Sequence, residues 1–452
     1  MKVFAAIIAV SFVVLLAIQA AHAIDDHAGV PPILYYNPAT GQKTPFVPRA
    51  WFVFGPGSGF YPAEIKASGG NTIIFAGIPD GLIQIDQVRE RLDQLQSLNM
   101  KGIVMVRHNL LDGVNSSRPA TYETLALLVN SLKDHPALLG WQLGDENPGS
   151  DPLTATDVIN SAQVVRSLDP NRQIWQDFHN GHSNSTITAW MPGTDVVSFD
   201  QYTNDRGEPE HAGASEYLRT AHRYGQLAVQ QGWAYAHITQ GFGADLGPLA
   251  SINKRFPTPD EYRWNVFAPI ASTGSRGVEN WVYANQPDWY SNPAEFDTFR
   301  DQAVKPTWLE LAGLQHAMET GYNVGTVSLT WDGKGTESWS EPFDRFSQLL
   351  VYDDQQHLYS LILTNNASDI RQARATISNL PEELAGLQVI IPKTGQIFAL
   401  TDLGNGSYLL ADSLLDHQVV IYQFSAVPEP SACAAIGLLT MLAINLKKYR
   451  IS

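Results

Sequence analysis

Acidic, amide and aromatic residues recur at one kind of place in this chain: directly after short apolar runs that read as strands. Gly140-Trp141-Gln142-Leu143-Gly144-Asp145-Glu146-Asn147-Pro148 carries two adjacent carboxylates. Asp177-Phe178-His179-Asn180 follows another run, Asp200-Gln201-Tyr202 a third, and Gln240-Gly241-Phe242-Gly243 a fourth. A fifth run carries Trp281 and Tyr283, then Asn285 and Gln286. Paired carboxylates support bond cleavage when one, its pKa raised by burial, donates a proton and the other stabilises positive charge or activates water. Glu146 is the candidate donor. Asp145 is a poor partner for it, because adjacent residues at a strand end point apart. Asp200 comes first as partner and Asp177 second. Asp145, Tyr202, Gln240, Trp281 and His179 are the candidates for holding substrate.

Each has a plainer reading. Asp145-Glu146 suits the acidic first turn of a helix with Pro148 near N1. Asp200 suits a loop cap, and Asp177 and His179 suit local hydrogen bonding. Gln240 suits a structural amide, and Trp281 a plug in a core. His108, His179, His182 and His237 are scattered without ligand spacing, so neither metal nor cofactor is expected. There is no G-x-S-x-G elbow, which argues against a serine hydrolase.

These residues need a scaffold that brings strand ends together. Residues 50–320 repeat a strand, a polar loop and a helix. The predicted strands are Ala50–Phe54, Asn71–Phe75, Gly102–Val106, Leu138–Leu143, Gln173–Trp175, Val196–Phe199, Ala234–Thr239 and Gly277–Tyr283. Helices are expected at Ala63–Ala67, at the Ile85–Leu98 stripe, and at Tyr122–Lys133, Ala155–Leu168, Ser215–Gln231, Glu261–Ser272 and Thr307–Glu319. Little helix is visible between Phe178 and Pro192. Eight such units over about 270 residues predict a (β/α)8 barrel with its site at the C-terminal strand ends. A doubly wound open sheet is the alternative, but Gly55-Pro56-Gly57-Ser58-Gly59 lacks the dinucleotide spacing. From Val324 onward short β-rich runs separated by turn signals predict a C-terminal antiparallel β-sandwich over 323–425.

Composition narrows the partners. A net charge of −16 argues against nucleic acid and makes strongly anionic polymers poor ligands. Eleven Trp and seventeen Tyr are many for a chain with 16% charged residues, and sugar rings stack on such aromatics; most of them are nonetheless core.

The two ends carry processing signals. Lys2, the apolar run Val3–Ile18 and Ala21-His22-Ala23 form an export signal over 1–23, followed by an extension over 24–49. At the other end come Val427-Pro428-Glu429-Pro430-Ser431, an apolar run over 432–446, and Lys447-Lys448-Tyr449-Arg450. That run is about fifteen residues, short of the ~20 of a stable span, which suits a transient anchor with its cations left in the cytoplasm. The single cysteine, Cys433, lies in this tail, so no disulfide staples the rest.

Two resemblances follow from these residues. The segment 427–452 resembles the PEP-CTERM sorting tail of bacterial exported proteins. This implies signal peptidase and exosortase as processing partners, passing attachment to the membrane, and delivery to the cell surface or extracellular matrix. An ordinary membrane anchor is the alternative. Residues 50–320 resemble the clan A glycoside hydrolases, through Trp141-Gln142-Leu143-Gly144-Asp145-Glu146 and Ile65-Lys66-Ala67-Ser68-Gly69-Gly70-Asn71-Thr72. The resemblance implies a (β/α)8 barrel acting on polysaccharide or oligosaccharide, with Glu146 as acid/base. Two positions depart from it. Asp145 stands where the family usually has Asn, and Gln240 stands where the family has its nucleophilic Glu. An amide cannot be that nucleophile, so a carbohydrate-binding protein without activity is the second expectation, and a purely structural matrix protein the third.

Overall fold

The computed structural model describes residues 29–54, 60–76, 85–106, 122–144, 146, 154–243, 254–283, 293–332, 346–367 and 371–426. Asp145, Gly55–Gly59, Asn285, Gln286 and the segments expected to be an export signal (1–23) and a sorting tail (427–452) lie outside them. Among the described residues no helix is long and apolar enough to cross a membrane.

Eight parallel strands form the first domain: Arg49–Phe54 (β1), Thr72–Ala76 (β2), Lys101–Val106 (β3), Leu138–Leu143 (β4), Gln173–His179 (β5), Val196–Asp200 (β6), Ala234–Tyr235 continued by His237–Gln240 (β7), and Val278–Trp281 (β8). β8 pairs with β7 on one side and β1 on the other, so the sheet closes into the expected barrel. The helices Pro62–Ala67, Ile85–Ser97, Tyr122–Leu132, Ala155–Leu168, Asn184–Trp190, Ala214–Gln231 and Pro259–Thr273 (α1–α7) each follow the strand of the same number. Pro293–Phe299, Lys305–Gly313 and Gln315–Thr320 (α8–α10) follow β8, joined by a π-helical turn over Arg300–Val304.

Local chemistry explains the helices. α2 buries Ile85, Val88, Leu92 and Leu95 on one face. α7 opens with Pro259 in its first turn and a Thr258–Glu261 capping box, and ends at Gly274, whose φ of 73° suits a residue without a side chain. Three sequence expectations change. The fifth unit does contain a helix, the seven-residue α5, capped by Ser183 on the Thr186 N–H at 3.1 Å; its Asn, Ser and Thr residues hide it because they are weak helix formers. The single helix expected over Thr307–Glu319 is two, α9 and α10, parted at Leu314. β5 runs on to His179, so Asp177 and His179 stand in the strand rather than after it.

The strand alternation fixes what fills the barrel. Phe199 stacks on Tyr224 of α6 at 4.9 Å, and Trp51 packs on Trp308 of α9 at 5.5 Å, so these residues face outward. Trp141 also faces outward, its indole donating to Asp169 at 3.0 Å. Their alternates, including Gln142, Ser198 and Asp200, face the barrel axis. Gly140 leaves room there for Trp175, since a Cβ at Gly140 would lie 2.2 Å from the Trp175 ring. A hairpin of Leu34–Asn37 and Gln42–Pro45 sits against the opposite, N-terminal ends of the strands: the Leu34 N–H donates to Gln173 at 2.6 Å and the Lys101 ammonium lies 3.6 Å from the Tyr35 ring centre.

Among the described residues nine antiparallel strands follow: Thr326–Asp332, Phe346–Asp353, Leu358–Asn365, Arg371–Ser378, Gln388–Ile391, Gln396–Ala399, Thr401–Gly404, Ser407–Leu414 and Val419–Ser425 (β9–β17). They make two sheets, ordered β9-β12-β16-β15 and β10-β11-β17-β13-β14. Ala375, Ile377 and Leu410 of the first meet Leu361, Leu363 and Tyr422 of the second in a common core. α7 joins this region to the barrel. Trp264 donates to Asn366 at 3.1 Å, and Arg263 makes two 2.7 Å bonds to Glu310 while donating to the Val419 carbonyl.

Candidate active site

The C-terminal strand ends open on a cleft of about 520 Å³. Four of the predicted residues line it: Glu146, His179, Asp200 and Tyr202. Asp200 ends β6, 3% exposed, at the floor. His179 ends β5 in register with Asp200, so both project to the same side of the sheet. The His179 Nδ1 accepts the Gly181 N–H at 3.1 Å, which leaves the proton of that tautomer on Nε2.

Glu146 reaches the cleft through a sharp exit from β4. Gly144 has φ 96° and Glu146 itself φ 50°. A left-handed conformation at a residue with a side chain costs roughly 1–2 kcal/mol, so the surrounding structure holds Glu146 there against its own preference.

Tyr202 is the second residue of the loop over residues 201–213 that walls the cleft, its ring edge-on to Phe242 at 4.9 Å. That loop is held at three points. Lys254 pairs with Asp205 at 2.8 Å, the Arg255 N–H donates to the Asn204 carbonyl at 2.9 Å, and the His211 N–H donates to Glu261 at 2.9 Å. Glu261 is itself 1% exposed. Burial alone would raise its pKa, but the Arg255 guanidinium, with the Thr258 and His211 amides, outweighs that and holds the carboxyl below its usual range. At the far end of the loop the His211 ring stacks on His417 of the C-terminal domain at 4.2 Å.

The other predicted residues sit elsewhere. Asp177 lies two residues deeper than His179 on β5, 1% exposed, its Oδ1 accepting the Phe178 N–H at 2.8 Å and the Ser198 hydroxyl at 3.3 Å. Gln240 ends β7 as expected, but its amide is occupied by the protein. The Nε2 donates to the Phe242 carbonyl at 3.1 Å and to the Arg255 carbonyl at 2.7 Å, and the Oε1 accepts from the Asn204 N–H at 3.2 Å. At 1% exposed, it braces the loops beside the cleft rather than offering a hand to a ligand. Trp281 ends β8 half-buried against Phe52, at 5.2 Å, and is not among the residues lining the cleft.

The sequence reading passed over several charged groups. Asp205, Glu208, Glu216 and Lys254 also line the cleft. Glu279 lies two residues before Trp281 on β8, on the same side of that strand, and is wholly buried, with neither carboxyl oxygen hydrogen-bonded among the described residues. Burial pushes its pKa up to about 8, so it is largely protonated at neutral pH. The signal for it was present: an acidic residue in period-two phase with Trp281 inside an apolar strand.

No family model matches the chain, and no curated protein matches it. Solved structures that share its fold include the following two. One, described as a glycoside hydrolase, is 10% identical, with a TM-score of 0.54 over 88% of this chain and 98% of that one. The other is AbfB, a family 51 α-L-arabinofuranosidase from Bifidobacterium longum, 11% identical, with a TM-score of 0.51 over 87% of this chain and 100% of that one. At these identities the likeness is one of fold.

Proposed function

We propose that the chain is a glycoside hydrolase-like protein that takes a saccharide into this cleft and cleaves an O-glycosidic bond there. The observation that carries the reading is convergence: Glu146 from the end of β4, His179 from β5, Asp200 from β6 and Tyr202 beyond it line one cleft at the C-terminal barrel face. Barrels of this kind place their chemistry at that face.

In the proposed reaction Glu146, as the carboxylic acid, gives its proton to the leaving glycosidic oxygen as the bond to the anomeric carbon breaks. A water adds to that carbon and passes its proton to the Asp200 carboxylate. Asp200 is one methylene shorter than a Glu, which leaves room for the water and favours inversion at the anomeric carbon. Tyr202 and the His179 Nε2–H orient hydroxyls. Asp177 supports the floor through Ser198 and is the second choice of partner.

A second reading has one specific support. The Gln240 amide is consumed by Asn204, Phe242 and Arg255, so no carboxylate stands at the end of β7. That favours a surface protein that binds saccharide without cleaving it. Export, processing by signal peptidase and exosortase, and residence at the cell surface or in the matrix belong to the same proposal, on the sequence order of residues 1–23 and 427–452 alone.

The test is a panel of polysaccharides incubated with the parent chain and with Asp200→Asn. Release of reducing ends that the variant abolishes supports the enzyme. Retained saccharide binding with no release from any substrate moves the assignment to the binding protein.

A further inference from the structure

The saccharide reading leaves the substrate class open, and the charges of the cleft narrow it. Asp200 lies at the floor, Glu146 and Asp205 are half-buried in the walls, and Glu208 and Glu216 stand at the exposed rim. Against these five carboxylates the described lining holds one amine, Lys254. Its ammonium is already engaged, paired with Asp205 at 2.8 Å and donating to the Tyr202 carbonyl at 2.5 Å. A second observation points the same way. Gln201, also in the lining and 6% exposed, has an Oε1 with no hydrogen-bond partner among the described residues. A buried carbonyl of this kind costs free energy until a donor reaches it. Among the described residues the lining is therefore rich in carboxylates, and its one ammonium is already engaged.

We infer that the cleft takes a glycan bearing free amino groups, a polymer of 2-amino-2-deoxyhexose in its ammonium form; this rests on the saccharide reading of the site. An ammonium offers three donors and a positive charge, which suits the Gln201 carbonyl and the carboxylates at once. An N-acetylated sugar keeps one amide donor and loses the charge. A uronic acid adds a like charge to a negative cleft, which field focusing in a recess makes unfavourable. The floor carboxylate, Asp200, carries most of the selectivity, because the rim charges of Glu208 and Glu216 are screened by salt.

The experiment is calorimetric titration of the full chain with three oligosaccharides of equal length: a fully de-N-acetylated chitooligosaccharide, its N-acetylated counterpart, and an oligogalacturonate. The expected result is binding of the first at least about tenfold tighter than the second, the order of discrimination a retained charge-assisted hydrogen bond gives, with no detectable binding of the third. Raising the salt narrows the gap, and a Glu208→Gln/Glu216→Gln double variant narrows it further at low salt while its melting temperature stays at the parent value. Equal or tighter binding of the N-acetylated or uronic oligosaccharide overturns the inference and leaves the saccharide reading standing. Absence of binding for every saccharide in the panel of neutral, acidic and amino glycans overturns both.

Discussion

The Gln240 side chain and the Arg255 carbonyl are joined at 2.7 Å, and that bond ties the end of β7 to the segment that also carries Lys254. The amide supplies two donors there, one to Arg255 and one to Phe242. This relationship explains why an amide suits the position, and it sets the first prediction.

Gln240→Glu does not create a nucleophile. A carboxylate would face two carbonyl oxygens without a proton to give either, at a site 1% exposed. Leaving such groups unpaired costs about 1–3 kcal/mol, and more when one is charged. The variant is expected to melt several degrees lower than the parent and to gain no hydrolytic activity. A gain of activity at unchanged stability would contradict this account of Gln240.

The packing of the barrel interior sets the second. In Gly140→Ala the added methyl meets the Trp175 ring, which would lie 2.2 Å away. Overpacking of a filled core costs typically 1–3 kcal/mol. Urea unfolding should give a lower midpoint with an unchanged slope; a midpoint equal to the parent would mean that Trp175 yields without cost.

Buried titratable groups predict the pH profile of stability. The Glu279 carboxyl titrates at about 8 when folded against 4.5 as the unperturbed group, so its contribution is full below 4.5 and is lost progressively as pH rises to 8, by about 1.4 kcal/mol per pH unit. Two histidines act in the other sense. Burial lowers His237 to about 3, and burial together with the adjoining His417 lowers His211 to about 4, from 6.5. Their contribution is full above 6.5 and is lost as pH falls. Between 4.5 and 6.5 two histidines oppose one carboxyl, so these groups place the optimum near 6.5, with a decline toward 8. Glu279→Gln removes the alkaline arm only. Thermal melts should show its advantage over the parent growing from pH 4.5 to pH 8; parallel curves would rule out an ionisation of Glu279 in that range.

Much of this was legible in the chain. β1–β8 stand out because buried parallel strands read as continuous apolar runs, and Asp200 stands out as a candidate because it ends one. The sequence places His179 after its strand, whereas β5 runs on to end at it. The role of Gln240 was not legible, because its partners Asn204 and Arg255 lie 36 and 15 residues away and meet it only once the barrel closes. The rim carboxylates were missed because loop acids carry no periodic signal, and Glu279 because Trp281, two residues on, offered the more familiar reading. α5 was hidden by weak propensity and stands on Ser183 and the burial of Ile187 and Trp190.

The central claim is that Glu146 donates the proton that breaks a glycosidic bond. The most direct measurement is the rate of reducing-end release by the parent and by Glu146→Gln on the same saccharide, with binding to each measured alongside. The account predicts a loss of at least about 10²-fold in rate, the scale of general acid catalysis, with binding kept within a few-fold. Equal rates in the two proteins would contradict it and remove Glu146 from the chemistry.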